Sequence, residues 1–269
     1  MTESAAHSDR RARGDGNPGD PVPSGREVLE RTITATGEWQ LQRRRTPGGA
    51  VHYEIICNGV FLMASYNRAS DRALAALALA RVPGVGLRVL VGGLGIGYTV
   101  QAALEDPRVR RVEVVEVEPA VVAWHRAYFA DLCGRPLDDP RTVLVQADLA
   151  DLALPPGGYD PVLLDTDNGP GWLIREANAR LYGREGVNRF LRALSPRGVL
   201  AYWSAAPAPR LRDVLAARGR VEEVEVADEV APGRPTSAWI YLVHPRRRSA
   251  PSTRSAPPEQ SSWRPGVPG

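Results

Sequence analysis

Lysine is absent from the 269 residues, so all 34 basic side chains are arginines. Without it, a phosphate-cradling loop of the Gly-x-x-x-x-Gly-Lys type is excluded. Cysteine is almost absent too. Cys57 and Cys133 stand alone, which rules out both a disulfide framework and a Cys-x-x-Cys pair. Four histidines, none close to another in sequence, leave little material for zinc, and no metal site is expected. No apolar run is long enough to cross a bilayer, and residues 1–7 lack the apolar core of a signal peptide. The expectation is a cytoplasmic protein with no membrane partner. A basic stripe with interleaved aromatics is also missing, so nucleic acid is not expected as a partner. The net charge of +3 arises largely in the C-terminal segment, where Arg246, Arg247, Arg248, Arg254 and Arg264 face only Glu259.

What remains is an ordinary globular composition, 43% hydrophobic and 24% charged, enough to bury a core. Residues 1–26 are rich in Ser, Gly, Pro, Asp and Arg without apolar periodicity and read as a disordered tail. Residues 27–67 read as a small β-hairpin region. Trp39 to Arg43 alternates, Thr46-Pro-Gly-Gly49 is a turn, and two strand-like runs flank Asn58-Gly59. Residues 68–244 alternate strand and helix with short connections, and 245–269 read as a disordered basic tail. A helix is expected from Ser70, as N-cap, to Ala80, before Pro83-Gly84. Strand–helix alternation predicts an α/β fold, a Rossmann-like doubly wound and mostly parallel sheet, a layout similar to that of the class I methyltransferases.

The chain is organised around residues 88–99. A buried apolar run, Val89-Leu-Val91, enters Gly93-x-Gly95-x-Gly97 and then a helix-forming stretch. Such glycines turn the backbone tightly and bring a ligand against main-chain N–H groups at the helix N-terminus. A dinucleotide fingerprint would need glycine where Tyr98 stands. The spacing is closer to the loop of S-adenosylmethionine-type enzymes. A second β-rich run ends in Glu116, about twenty residues on, where such folds set a carboxylate against ribose. Glu116, not Glu118, is expected to face the pocket. Two further strands end in Asp148 and Asp165, so three acids collect where ligands bind, outside the carboxyl ends of the strands. Asp165-Thr-Asp167 also fits a metal-binding Asp-x-Asp. His125 reads as a surface or rim residue. Trp172, Trp203 and Trp239 are read as core residues first and acceptor-pocket walls second.

The order of glycine loop, Val-Glu-Val-Glu118, Ala-Asp148 and Tyr159-Asp-Pro-Val-Leu-Leu-Asp165 resembles the polyamine aminopropyltransferases, the spermidine synthase family. The resemblance runs from about Tyr53 to Trp203. It implies that Gly93, Gly95 and Gly97 line a sulfonium nucleoside, that Glu116 holds the ribose hydroxyls and that Asp148 accepts from the adenine amino group. It implies that Asp165 is the catalytic acid that takes the proton of the attacking amine. The implied activity is aminopropyl transfer to an amine acceptor. The co-substrate is decarboxylated S-adenosylmethionine or S-adenosylmethionine, and no prosthetic group is implied. A methyltransferase or a non-catalytic nucleoside-binding homologue are the alternatives, and a homodimer stays open. The sequence departs from the family at the amine end. Ile96 replaces an aspartate of the loop, Asn168 the second acid of the Asp165 motif, Leu62 a glutamine, and Asp71-Arg72 a tyrosine and its acidic or amide neighbour. Together these point to a changed acceptor.

Overall fold

The computed structural model describes residues 25–245. Both tails read from the sequence therefore lie almost wholly outside the described residues. The chain opens with four antiparallel strands in sequential order: β1 (Gly25–Thr34), β2 (Gly37–Arg45), β3 (Val51–Cys57) and β4 (Val60–Ala64). This is a complete small sheet, with Ala35-Thr36 and Asn58-Gly59 as its tight turns.

The second unit begins with α1 (Ala69–Ala80), β5 (Leu87–Gly92), α2 (Tyr98–Glu105), β6 (Val109–Glu116) and α3 (Pro119–Trp124). Then come β7 (Thr142–Gln146), β8 (Tyr159–Leu164), α4 (Ala179–Tyr182), α5 (Arg184–Ala193), β9 (Leu194–Ser204), α6 (Pro209–Ala216), β10 (Gly219–Ala231) and β11 (Arg234–Pro245). Its seven strands lie in the order β10-β11-β9-β8-β5-β6-β7. The five strands from β9 to β7 are parallel, and the β10–β11 hairpin joins them antiparallel through β11. The predicted doubly wound, mostly parallel α/β fold is therefore the observed one. Strand order reverses at β5, between β8 and β6, which opens a crevice at their carboxyl ends.

Alternation along the strands divides the core into two layers. Leu87, Val89 and Val91 of β5, Leu163 of β8 and Ala201 of β9 face α1, α2, α3 and the small sheet. Leu90, Val162, Leu164, Leu200 and Tyr202 face Val187 and Phe190 of α5 and Leu215 of α6. Strands covered on both faces read as continuous apolar runs, which is why β5 and β8 stood out in the sequence.

Pro119 occupies the first turn of α3, where its missing N–H costs nothing. Glu118 caps that helix by accepting from Ala120 N at 3.1 Å. At α1 the sequence expectation is corrected. Arg68 stands at the N-cap without a side-chain bond, and Ser70 lies inside the first turn. Asp228 of β10 does the capping from another element, accepting from Ser70 N at 3.0 Å and from the Ser70 hydroxyl. Among the described residues, no helix is long and apolar enough to cross a membrane.

Candidate active site

One cavity opens at the switch point, and four strand ends supply its floor. Gly93 and Gly95 follow β5, Glu116 ends β6, Asp148 follows β7, and Asp165 to Asp167 follow β8. The small sheet adds Trp39 from β2 and Leu62 and Met63 from β4. Loop residues Ile174 and Arg175 close the far side. Four carboxylates and one guanidinium thus face the same space, a balance that favours a cationic ligand.

Glycine at 93 is required by packing as much as by any ligand. Its φ is +93°, and a Cβ there would stand 2.1 Å from the Asp165 carbonyl oxygen. The glycine lets the β5 loop pass directly beneath the β8 loop, which brings Asp165 to the cavity. Gly97 does not face the cavity. With φ +103° it packs behind the loop, where a Cβ would lie 2.7 Å from His125 Cε1 and 3.1 Å from Cys133 Sγ.

His125 is fully buried, not a rim residue. It follows α3 in a short π-helical segment, and its Nδ1 lies 3.1 Å from the Ile96 carbonyl oxygen. The Cys133 thiol donates to the same oxygen at 3.2 Å. Burial pulls the imidazole down to about 4, so it is neutral at physiological pH and secures the glycine loop from below. Ile96 itself is only 2% exposed, and its side chain packs in the core.

Glu116 is buried and accepts from Leu94 N at 3.0 Å and Glu118 N at 2.8 Å. Burial raises its pKa, while those N–H groups hold it down in part. Each oxygen keeps a lone pair for a ligand hydroxyl. Asp148 is held by Ala150 N at 2.8 Å and by Arg175 Nη2 at 3.1 Å.

Asp165 accepts from Thr99 Oγ1 at 2.5 Å, and burial pushes its carboxyl up to about 6. The same Thr99 hydroxyl lies 3.1 Å from the Asp71 carbonyl oxygen. Asp71 is raised well above the ordinary carboxylate range, first by burial, then by the charges of Asp165 and Asp228. Asp167 also lines the cavity but is held by other partners. Its backbone is left-handed at φ +57°, and its oxygens take Asn178 Nδ2 at 3.0 and 2.9 Å and Ile174 N at 3.0 Å. Asp165 and Asp167 therefore have different partners, and Asp167 organises the loop that carries Arg175. Asn168 also serves structure, donating to the Phe61 carbonyl at 3.0 Å and tying this loop to β4.

Sequence reasoning missed Trp39, Arg175, Asn178 and the Asp71–Thr99 setting of Asp165. Trp39 had a faint signal, as an aromatic in a strand ahead of the nucleoside unit. None of Trp172, Trp203 and Trp239 faces the cavity. Trp203 and Trp239 pack against the two core layers, and Trp172 is 54% exposed.

No known family profile matches the chain. In structure, it superposes on a spermidine synthase solved with the transition-state analogue AdoDATO at a TM-score of 0.66 and 18% identity, over 80% of this chain and 73% of that one. The chain has the spermidine synthase fold. The spermidine synthase of Thermotoga maritima matches similarly, at a TM-score of 0.64 and 18% identity over 80% and 72% of the two chains. In sequence, the chain is 32% identical to the polyamine aminopropyltransferase of Mycobacterium tuberculosis over 123 residues, 44% of this chain and 23% of that protein. It is also 32% identical to putrescine N-methyltransferase 1 of Nicotiana tabacum over 117 residues, 42% of this chain and 29% of that protein. The chain thus aligns with under a third of the length of these curated relatives. The spermidine synthase-like resemblance read from the motifs is borne out by both kinds of likeness.

Proposed function

We propose that this spermidine synthase-like chain is a transferase. It binds an adenosine sulfonium, decarboxylated S-adenosylmethionine or S-adenosylmethionine, and passes an aminopropyl group to a small-molecule amine. One observation carries the reading: Glu116, Asp148 and Asp165 leave three strands of one sheet and face one cavity beside the glycine loop. In this reading Glu116 accepts from the ribose hydroxyls, Asp148 from the adenine amino group, and Gly93 and Gly95 let the nucleoside lie on the backbone. Asp165 takes a proton from the ammonium of the acceptor, freeing the lone pair for attack. The new C–N bond forms as the C–S bond breaks. Its electron pair returns to sulfur, which leaves as the neutral thioether methylthioadenosine. Loss of the sulfonium charge removes part of the attraction to the four carboxylates and favours product release.

Methyl transfer on the same scaffold is the second reading, and a specific observation favours it. Leu62 and Met63 line the cavity and Ile96 is buried, so these positions offer an aminopropyl ammonium no acid. A relative named as a putrescine N-methyltransferase fits that reading. The two readings part on the thioether product. Each donor is incubated with putrescine and a panel of mono- and diamines, and the nucleoside products are identified by mass spectrometry. Methylthioadenosine together with an aminopropylated amine supports aminopropyl transfer. S-adenosylhomocysteine with a methylated amine supports the second reading, and neither product from any pair refutes both.

A further inference from the structure

Glu118 is 0% exposed, yet its carboxylate is held only by neutral donors. Among the described residues it makes no ion pair. A buried charge so placed is costly, and an N-cap alone needs only a short side chain. Glu118 reaches further than a cap. Its Oε2 accepts from Thr34 Oγ1 at 2.8 Å and from the Thr36 hydroxyl, both at the β1–β2 turn more than eighty residues earlier. Thr36 Oγ1 in turn accepts from Trp39 Nε1 at 2.8 Å, and Trp39 forms a wall of the cavity. On its other side, Glu118 N donates to Glu116 Oε1 at 2.8 Å, and Glu116 Oε2 accepts from Leu94 N in the glycine loop. One hydrogen-bonded path therefore runs from the indole wall through the turn to Glu118, Glu116 and the glycine loop. A second tether lies on the outer side. Glu30 of β1 accepts from Trp124 Nε1 at 2.7 Å and from Tyr128 OH at 2.8 Å, fastening the same hairpin along α3 and the π-helical turn after it.

We propose that Glu118 is a positioning residue that locks the β1–β2 turn and the Trp39 wall onto the nucleoside pocket, making turn docking and ligand binding one coupled event. The inference rests on reading the cavity as a nucleoside site. Glu118 does not face the cavity; it acts through Glu116, whose orientation it fixes by its backbone N–H, and through Trp39, whose ring it fixes by way of Thr36. A ligand that fills the cavity and engages Glu116 tightens the path from one end. Docking of the turn tightens it from the other.

The experiment uses the full chain with S-adenosylhomocysteine and methylthioadenosine as probes, and compares wild type with Glu118→Gln, Glu118→Ala and Thr36→Val. Glu30→Gln is the control, since it loosens the hairpin away from the pocket. Calorimetry gives affinity, and hydrogen exchange of residues 33–40 gives turn docking. In wild type, the ligand slows exchange in that segment. Thr36→Val weakens the better probe about fivefold and Glu118→Ala about tenfold, with faster exchange in both, while Glu118→Gln stays within about threefold. Glu30→Gln speeds exchange along residues 27–32 and leaves both residues 33–40 and affinity unchanged. Two results overturn the coupling: ligand that leaves exchange of residues 33–40 untouched, or Thr36→Val binding as wild type does. Wild type that binds neither probe would instead overturn the nucleoside reading on which the coupling rests.

Discussion

Asp165→Asn separates stability from chemistry, because burial destabilises the ionised carboxyl in the free protein and the proposed reaction uses it as a base. Burial lifts it from an ordinary 3.8 to about 6. At roughly 1.4 kcal/mol per tenfold change in proton affinity, keeping it ionised at pH 8 costs the native state about 3 kcal/mol. The sign follows from the direction of the shift. The native state binds the proton more tightly than the unfolded chain does. The resulting stability is complete below about pH 4 and lost as pH rises through about 6. Asparagine has nothing to ionise, so the variant should be more stable than wild type at pH 8 by about 1–3 kcal/mol, a melting shift of several degrees. The gap should close by pH 4. Urea titrations at pH 4, 6 and 8 measure it. Single-turnover transfer by the same variant should fall about 10²- to 10⁴-fold, the usual worth of a general base. Nucleoside affinity should stay within a few-fold, since the proposed function gives Asp165 the acceptor and not the nucleoside. A variant no more stable at pH 8, or one that transfers at the wild-type rate, would refute the reasoning.

Glu116→Ala should weaken adenosine-containing ligands at least tenfold, at roughly 1.5–3 kcal/mol for each lost charge-assisted hydrogen bond, as read by calorimetry. It should also lower the melting temperature, because Leu94 N and Glu118 N lose their acceptor. His125 titrates with the opposite sign to Asp165. Its lowered pKa makes wild type lose stability as pH falls from 6.5 towards 4, and His125→Gln should flatten that slope in urea titrations. Asn178→Leu strips Asp167 of its paired donors and should raise protease sensitivity across residues 166–178, as mapped by limited proteolysis. Gly93→Ala drives a Cβ into the Asp165 carbonyl and should cost about 3 kcal/mol or more in chemical denaturation.

The large sheet and the strand-end acids were legible because they are written locally. Apolar runs mark β5 and β8, three glycines follow β5, and acids follow β6, β7 and β8. What was not legible depends on partners far apart in the chain. Asp165 is set by Thr99, 66 residues away, and Glu118 is satisfied by Thr34, 84 residues away. His125 stands in a sequence that reads as a surface helix, but a π-helical turn buries it against Ile96 and Gly97 behind the glycine loop. The cap of α1 was misplaced because its acceptor, Asp228, comes from β10. Gly97 matched the motif, but its backbone turns behind the loop, and only packing shows that.

The cavity is proposed to hold an adenosine sulfonium and to keep it by charge as well as shape. Calorimetry of S-adenosylmethionine, its decarboxylated form, methylthioadenosine and S-adenosylhomocysteine against the wild-type chain tests it most directly. The predicted result is binding of all four at a single site, with each sulfonium tighter than its neutral thioether and the difference shrinking as salt rises. Binding of none of the four, or affinity that ignores the sulfonium charge, would contradict the account.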